Sequence, residues 1–333
     1  MKRYLIRRFL LIIPTFIGIT LITYSMVRLA PGDYTTVQAG LQGELQAGDI
    51  ASDILDRERA HFGLDKPIII GYGEWLGNFM TGDFGISRKD RRPVSERIAE
   101  ALPITLTLNF LSIILTYIIS IPIGIYAAVR KDSLFDRGSS LILFILYSLP
   151  HFWIGLLLLM FFSGGDYLNL FPLGGKISYW AESAGFFTRM GNMTWHLVLP
   201  VITLTYGSLA FLARYSRANM LEVINQQYIT TAKAKGLDNR RVIFVHAFRN
   251  SLIPLITLMG SLLPILLGGS VIVESIFTIP GMGLLAFEAI LSRDIPVIMA
   301  ITAISALMTL AGILISDLAY GLADPRIRLE AGL

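Results

Sequence analysis

Long uncharged stretches alternate with polar connections along this chain. Six stretches of about 20 residues or more contain no Asp, Glu, Lys or Arg: Phe9–Val27, Leu102–Val129, Ser139–Ser163, Thr194–Ala213, Ser251–Val273 and Ile295–Ser316. A soluble helix of that length keeps one polar face toward water, whereas a helix of about 20 apolar residues crosses the roughly 30 Å hydrocarbon core of a bilayer. The pattern predicts an all-α membrane protein with six transmembrane helices.

The distribution of cations predicts how these helices are oriented. Lys and Arg are concentrated before the first stretch, in the 130–138 connection and in the 214–249 loop, whereas the 164–193 and 274–294 connections balance a few cations with acids. By the positive-inside rule, both termini and the basic connections lie in the cytoplasm. A basic start followed by an apolar run is also typical of a signal peptide. However, Arg28-Leu29-Ala30-Pro31 offers no good cleavage site, which favours a retained first helix.

Residues 31–101 are predicted to form a small extracytoplasmic subdomain. They contain eight Lys/Arg and twelve Asp/Glu, but segments longer than about 60 residues cross the membrane largely regardless of charge. Trp75–Met80 and Val94–Ala101 show helical spacing, and Gly82-Asp83-Phe84-Gly85 between them is typical of a turn. The Gly-, Gln- and Ala-rich stretch Gln38–Ser52 is expected to be the most mobile part.

The chain is therefore predicted to have four parts. Residues 1–30 hold the cytoplasmic N-terminus and the first helix, and residues 31–101 are the external subdomain. Residues 102–320 form a five-helix core that includes the cytoplasmic 214–249 loop, and residues 321–333 form a cytoplasmic tail.

Composition narrows the classes of function. With 54% hydrophobic and 16% charged residues, the chain does not have the water-facing surface of a soluble protein. Its 28 Lys+Arg and 24 Asp+Glu give a formal charge of +4, which is too small to indicate a nucleic-acid binder. Cysteine is absent and the four histidines show no i, i+4 pairing, so neither a bound metal nor another cofactor is expected on this chain.

No residue pattern indicates an enzyme. The sequence contains no G-x-x-x-x-G-K-[ST] phosphate loop, no H-E-x-x-H and no G-x-S-x-G. The six stretches also lack carboxylates, which disfavours an intramembrane proton relay as the source of energy. If this protein moves a solute uphill, the energy must come from another polypeptide.

Five residues are candidates for a translocation pathway or gate: Pro150, His151, Gly268, Gly269 and Glu274. Proline breaks a membrane helix where a cavity or a neighbour satisfies the freed carbonyls, and glycine permits close backbone approach. The alternative is that the prolines only shape helix packing. His151 and His196 would then be neutral imidazoles hydrogen-bonded between helices.

The loop after the fourth stretch is predicted to form a compact helix–turn–helix in the cytoplasm. A first short helix ends at Gly236, which can adopt the left-handed conformation, and Leu237 is placed to make the accompanying apolar contact. Asp238 is placed to cap a second helix that runs to His246. The alternative is an ordinary basic loop retained by anionic lipid.

Ordered motifs over nearly the whole chain resemble those of permease subunits from bacterial dipeptide/oligopeptide ABC transporters. The segments that carry the resemblance are Met1–Arg8, Arg28–Asp33, Phe62–Pro67, Gly82–Ser87, Arg92–Val94, Thr231–Leu237, Arg240–Val242, His246–Pro254, Val273–Phe277, Pro280–Gly283 and Asp324–Arg328. The broader ABC-permease loop motif begins Glu-Ala-Ala, whereas this chain has Thr230-Thr231-Ala232 there, which resembles the peptide-transporter subgroup. Residues 34–60 match poorly, so nothing is inferred for them.

The resemblance implies a multi-pass protein of the bacterial inner membrane that works within a heteromeric importer. The implied partners are a second homologous permease, two cytosolic ATPase subunits that use ATP and Mg, and an extracytoplasmic solute-binding protein. The lipid bilayer surrounds the assembly, and no nucleic acid is involved. The residues implied to couple the chain to the ATPases are Tyr228, Thr231, Ala232, Lys233, Ala234, Lys235, Gly236, Leu237, Asp238, Arg240 and Arg241.

Two questions stay open at the level of sequence. Short peptides are the first expectation for the solute, but related permeases carry nickel chelates, glutathione or sugars. A self-contained channel or secondary transporter is the rival from another class, and a non-transporting scaffold subunit is a third. The missing membrane carboxylates and the ordered motifs favour the importer.

Overall fold

The computed structural model describes residues 2–29, 66–164, 167–260 and 269–323. In chain order its helices are α1 (Lys2–Leu29), α2 (Ile68–Met80), α3 (Val94–Val129), α4 (Leu134–Ser148), α5 (His151–Phe162), α6 (Tyr179–Glu182), α7 (Phe186–Ile224), α8 (Gln227–Ala234), α9 (Asn239–Arg241), α10 (Phe248–Gly260), α11 (Val271–Ile276), α12 (Met282–Leu291) and α13 (Ile295–Ala323). A π-helical segment, Val242–Ala247, connects α9 to α10. Across these ranges the extended pairing is limited to one bridge between Ile86 and Pro93, so the predicted all-α class is confirmed for them.

The chain divides into two compact units, and the first contains residues 1–102 and 285–311. In this unit α1 and α2 pack with α13. Its core has two apolar clusters, one from Phe16, Phe79, Ala303 and Ala306 and the other from Tyr24, Tyr72 and Met299. The buried hydroxyls of Thr20 and Tyr72 lie 2.9 Å apart and join α1 to α2 by a hydrogen bond.

Hydrogen bonds to Asp294 connect the segment that follows α2 to the start of α13. Gly82 and Gly85 have φ of +82° and +79°, which confirms the turn predicted there. The fully buried carboxylate of Asp294 accepts hydrogen bonds from the Ser87 hydroxyl and from the Arg88 backbone N–H, the latter at 3.0 Å. The turn is therefore held by charge-assisted bonds that cross about 200 residues of sequence.

The second unit, residues 103–284 and 312–333, is built around α7, a helix of 39 residues. Its main apolar cluster brings together Ile104, Leu108, Leu197, Leu199, Val201, Val273, Phe277 and Ile279. Glycine allows α3 to lie directly on α7, since a Cβ at Gly124 would come within 2.5 Å of the Ala213 carbonyl oxygen. The small residues Ala210 and Ala213 likewise accommodate Leu143 of α4.

Four single helices in the described ranges are long and apolar enough to cross a membrane: Leu10–Leu29 within α1, Val94–Val129, Phe186–Ile224 and Ile295–Ile315 within α13. They coincide with the first, second, fourth and sixth predicted spans. The fifth, Ser251–Val273, passes through residues 261–268, which lie outside the described residues, so it stays a prediction. The stretch Gln38–Ser52 also lies outside them.

The sequence predicts one span over Ser139–Ser163, but the structure has two helices there. α4 and α5 are bent by 97° relative to each other and reach a span's length only as a pair. The break falls at Leu149 and Pro150, both with extended backbone. Proline lacks the N–H that would continue the helix and disfavours the helical conformation of the residue before it.

Two long helices continue past the uncharged stretches that predicted them. Val94–Ala101 is not a separate short helix but the first turns of α3. Residues 214–224, assigned to the cytoplasmic loop, continue α7 to Ile224. Charged residues are expected where a helix leaves the hydrocarbon core of the membrane, but they do not end the helix itself.

Candidate functional sites

The predicted cytoplasmic turn begins with a helix end of the Schellman type. Gly236 has φ +77°, as predicted for the left-handed position. Its N–H donates to the Lys233 carbonyl at 3.0 Å, and the Leu237 N–H donates to the Ala232 carbonyl at 3.4 Å. These two bonds satisfy carbonyls that α8 would otherwise leave unpaired and reverse the chain within two residues.

The second helix starts as predicted but continues differently. The Asp238 carboxylate accepts the Arg240 backbone N–H at 3.1 Å and caps α9. The chain then adopts a π-helical turn from Val242 to Ala247 and continues into α10 instead of ending at His246. A π-helical turn holds one extra residue relative to an α-helix and recurs at functional sites.

One side of this turn is anchored and the other is exposed. Ile229, Ala232 and Val242 are buried in a cluster with Ile125 of α3 and Met220 of α7. Leu237 is half-buried and packs against the same cluster. The other predicted coupling residues are exposed: Tyr228, Thr231, Lys233, Ala234, Lys235, Gly236, Asp238, Arg240 and Arg241. The turn is thus a polar surface whose apolar base is shared with two long helices.

The α4–α5 break is held against α7. The Tyr206 hydroxyl donates to the Leu149 carbonyl at 2.8 Å, which satisfies a group freed by the break. His151 Nδ1 lies 3.1 Å from the Thr203 carbonyl oxygen. Because a carbonyl only accepts, Nδ1 carries the proton. The candidate pair Pro150–His151 therefore lies at a real discontinuity of the helix.

Glu274 is buried, with an exposed fraction of 2%. Its Oε1 accepts the Thr105 hydroxyl at 3.0 Å and the Ser270 N–H at 3.3 Å, and its Oε2 accepts the Leu284 N–H at 2.9 Å. The same Thr105 oxygen accepts the Met282 N–H at 2.8 Å. One carboxylate of α11 thereby joins α3, the residue that precedes α11 and the first turn of α12.

Three glycines leave room for this carboxylate. A Cβ at Gly281 would lie 2.5 Å from Glu274 Oε2, and one at Gly283 would lie 3.1 Å from it. Gly269, with φ +64°, would place a Cβ 2.6 Å from the Gly283 nitrogen. Gly269 and Glu274 of the predicted gate set therefore meet in one cluster, while Gly268 lies outside the described residues.

A sequence model of a transport family covers most of these elements. Residues 120–329 match the family described as "Binding-protein-dependent transport system inner membrane component", and residues 1–109 match its N-terminal counterpart. The chain belongs to this family. This shows a multi-pass membrane permease, and the larger matched range contains the cytoplasmic turn, the α4–α5 break and Glu274.

Relatives match the permease over almost its whole length. It is 43% identical to the oligopeptide transport system permease protein AppB of Bacillus subtilis (strain 168), over 98% of this chain and 99% of that protein. It is 36% identical to the dipeptide transport system permease protein DppB of Escherichia coli (strain K12), again over 98% and 99%. A putative peptide transport system permease protein of Brucella abortus (strain 2308) is 35% identical over 99% of this chain and all of its own length.

Sequence reasoning missed an ion pair between α4 and α7 of the permease. Arg217 of α7 donates from Nε and Nη2 to the two oxygens of Asp136, at 2.6 and 2.8 Å. The buried Asp136 also accepts the Asp132 N–H at 2.9 Å, and Ser133 caps α4. A Ser-x-x-Asp spacing signals that cap, but nothing local predicts a partner 81 residues away.

His196 is the second histidine whose role the sequence left open. Its Nδ1 lies 3.1 Å from the Gly174 carbonyl oxygen and its Nε2 lies 3.0 Å from the Ser178 hydroxyl. With Nδ1 carrying the proton, Nε2 of the neutral ring accepts from Ser178. Both nitrogens are used to hold the 174–178 connection on α7, which favours the packing interpretation for this residue.

Asp90 lies in an ion network of the first unit, outside the membrane-spanning helices. Its carboxylate is 3.3 Å from Arg97 Nε, and Arg97 Nη1 is 3.7 Å from Asp294. Partial burial acts to raise the pKa of Asp90. The hydrogen bond from the Arg92 backbone N–H and the charges of Arg97 and Arg92 act in the opposite direction, and the pKa lies below its usual value.

Proposed function

We propose that this permease is the transmembrane subunit of an ATP-driven importer of short peptides. The observation that carries the proposal is the cytoplasmic turn, a polar surface fixed by a Schellman cap on an apolar base shared with α3 and α7. The peptide substrate is supported by the relatives at 43% and 36% identity, which are named as oligopeptide and dipeptide transport system permeases.

The proposed assembly contains a second homologous permease, two cytosolic ATPase subunits and an extracytoplasmic solute-binding protein. Since the sequence has no phosphate loop, ATP and Mg bind to the ATPase subunits, and the isolated permease is expected to hydrolyse no ATP. In the proposed topology six helices cross the inner membrane and both termini lie in the cytoplasm.

The geometry suggests how the energy would be transmitted. An ATPase that closes against the exposed face of the turn pushes on Ile229 and Val242, which pack on Ile125 of α3 and Met220 of α7. Packed apolar groups transmit a displacement because they compress little. The same α7 carries the residues that hold the α4–α5 break, so the push reaches the candidate gate.

Substitution of Gly236 tests this proposal. A Cβ at Gly236 meets no atom within 4 Å, so the penalty of Gly236→Val comes from the left-handed backbone alone, about 1–2 kcal/mol. We expect near-normal abundance in the membrane but weaker binding of the ATPases, or peptide-stimulated ATP hydrolysis without uptake. Uptake and ATPase activity are measured in vesicles that contain the full assembly, with the isolated permease as the blank.

Gly236→Asn is the matched control, because asparagine tolerates the left-handed conformation. It should retain most of the coupling. Lys235→Ala should also have a small effect, since exposed charges contribute under about 1 kcal/mol. Wild-type uptake and coupling in Gly236→Val would show that the turn is not the transmitting element.

A further inference from the structure

A cavity of about 200 Å³, lined by both apolar and charged residues, lies between α1, α2, the turn after α2 and the first turn of α13, all within the first unit. Charged groups of both signs line it. Arg28 and Arg88 contribute guanidinium groups, Glu74 and Asp83 contribute carboxylates, and Asn78 contributes an amide. The cavity therefore has the charge pattern that complements a zwitterion.

The charged groups around the cavity are positioned by contacts within the protein. Arg28 Nη2 donates to the Lys66 carbonyl at 2.6 Å, and the Lys66 ammonium donates to both oxygens of Glu74 at 2.7 Å. Asp83 accepts a backbone N–H of its own turn at 2.9 Å, and Arg88 has an exposed fraction of 4%. Groups that are already held lose little conformational entropy when a ligand binds.

The cavity lies where two membrane helices end. Tyr24 and Arg28 belong to the last turns of α1, and Ile295 and Met299 belong to the first turns of α13. The ring of Trp75 also lines the cavity, 6.4 Å from the ring of Tyr24. Tyr and Trp are enriched at the level of the lipid headgroups, and arginine side chains extend toward that level.

Helix α2, which forms one wall, also exposes apolar side chains that do not line the cavity and lie on other faces of the helix. Ile69, Ile70 and Met80 are exposed by 80%, 54% and 76%, although Tyr72 and Phe79 of the same helix are buried against α1 and α13. A short helix with large exposed aliphatic groups is typical of one that lies in the membrane interface. The exposed aliphatic side chains of α2 are therefore suited to contact with lipid.

We infer that this cavity binds the headgroup of a zwitterionic phospholipid of the phosphoethanolamine type. The phosphate takes hydrogen bonds from the guanidinium groups of Arg28 and Arg88, and the primary ammonium donates to Glu74 and Asp83. The volume is below the roughly 300–1,000 Å³ of pockets for drug-sized ligands, so it suits a headgroup better than a peptide of several residues. A free dipeptide shares the same chemistry, but the helix ends and the exposed aliphatic side chains of α2 favour a lipid.

Native mass spectrometry of the full-length chain tests the inference. The protein is purified in detergent and exposed to equal amounts of phosphatidylethanolamine and phosphatidylcholine, whose headgroups differ by three N-methyl groups. We expect one retained phosphatidylethanolamine and little phosphatidylcholine. Loss of one charged partner should lower this retention on the order of tenfold in Arg88→Gln and in Asp83→Asn.

The variants are chosen so that folding does not obscure the result. Asp83 is exposed, and asparagine keeps the oxygen that accepts the turn's N–H, so Asp83→Asn carries the test if the buried Arg88→Gln does not fold. Arg92→Gln is the matched control, since Arg92 is an exposed cation of the same segment that pairs with Glu100 away from the cavity. It should retain lipid as the wild type does.

Three results would overturn the inference. Equal retention of the two lipids would show that the ammonium is not recognised, and equal retention in both cavity variants would place the lipid elsewhere. The third result is a wild type that retains no lipid but whose melting temperature is raised by free dialanine, while that of Asp83→Asn is not. It would assign the cavity to a soluble zwitterion. Displacement of the retained lipid by soluble phosphoethanolamine would support the headgroup site.

Discussion

Position 281 requires glycine for a steric reason, whereas position 236 requires it for a conformational one. A Cβ at Gly281 would lie 2.5 Å from Glu274 Oε2 and 2.6 Å from Thr105 Oγ1. Gly281→Ala should therefore destabilise the protein by about 1–3 kcal/mol, as overpacking does in other cores. This loss of stability is measured by thermal unfolding of the detergent-solubilised permease. Gly77→Ala in α2, where a Cβ meets no atom within 4 Å, is the control and should not lower the melting temperature.

Asp90 predicts how the first unit responds to acid. The pKa of its carboxyl is lowered in the folded protein, because the hydrogen bond from the Arg92 backbone N–H and the charges of Arg97 and Arg92 act against burial. A group with a lowered pKa contributes stability that is fully present above the unfolded pKa of about 3.9 and is lost as the pH falls through the folded value. The melting temperature of Asp90→Asn should thus lie below that of the wild type at pH near 6, and the gap should close below about pH 4. A gap that is constant with pH would contradict this prediction.

At the scale of elements, the Asp136–Arg217 pair joins the start of α4 to α7. Removing Arg217 leaves the buried Asp136 carboxylate without its counter-charge, so Arg217→Ala should cost about 3 kcal/mol. Asp136→Ala should cost less, because the Arg217 side chain that remains is 29% exposed and can be hydrated. The double variant should be more stable than the sum of the two single losses predicts. The free energies of unfolding of the wild type, the two single variants and the double variant give the coupling energy of the pair. If the two single losses add up to the loss in the double variant, the pair contributes nothing.

The sequence predicted those features whose signals are local. Gly236, Leu237 and Asp238 form a cap and a turn from adjacent residues, and uncharged length alone identified α1, α3, α7 and α13. The 97° bend at Pro150 was not predicted, because a proline inside an apolar run is equally compatible with a mild kink. The Asp136–Arg217 pair and the contacts of Glu274 join distant segments, and no periodicity encodes them.

At the scale of the whole molecule, the orientation can be tested because the chain contains no cysteine. Thr81, after α2, and Thr230, in α8, are both exposed. In spheroplasts, a membrane-impermeant maleimide should label Thr81→Cys directly and Thr230→Cys only after permeabilisation. Labelling of both after permeabilisation is the control for reactivity. The reverse pattern would overturn the proposed topology.

The length of α7 has a mechanical consequence. Its 39 residues extend about 58 Å, nearly twice the roughly 30 Å hydrocarbon thickness. Near one end Met220 lies under the cytoplasmic turn, near its middle Thr203 and Tyr206 hold the α4–α5 break, and toward the other end His196 holds the 174–178 connection. If α7 moves as one body, a tilt of about 5° around its midpoint shifts each end by roughly 2.5 Å in opposite directions. Such a tilt would displace the cytoplasmic turn and the 174–178 connection in opposite senses, with the α4–α5 break near the point that does not move.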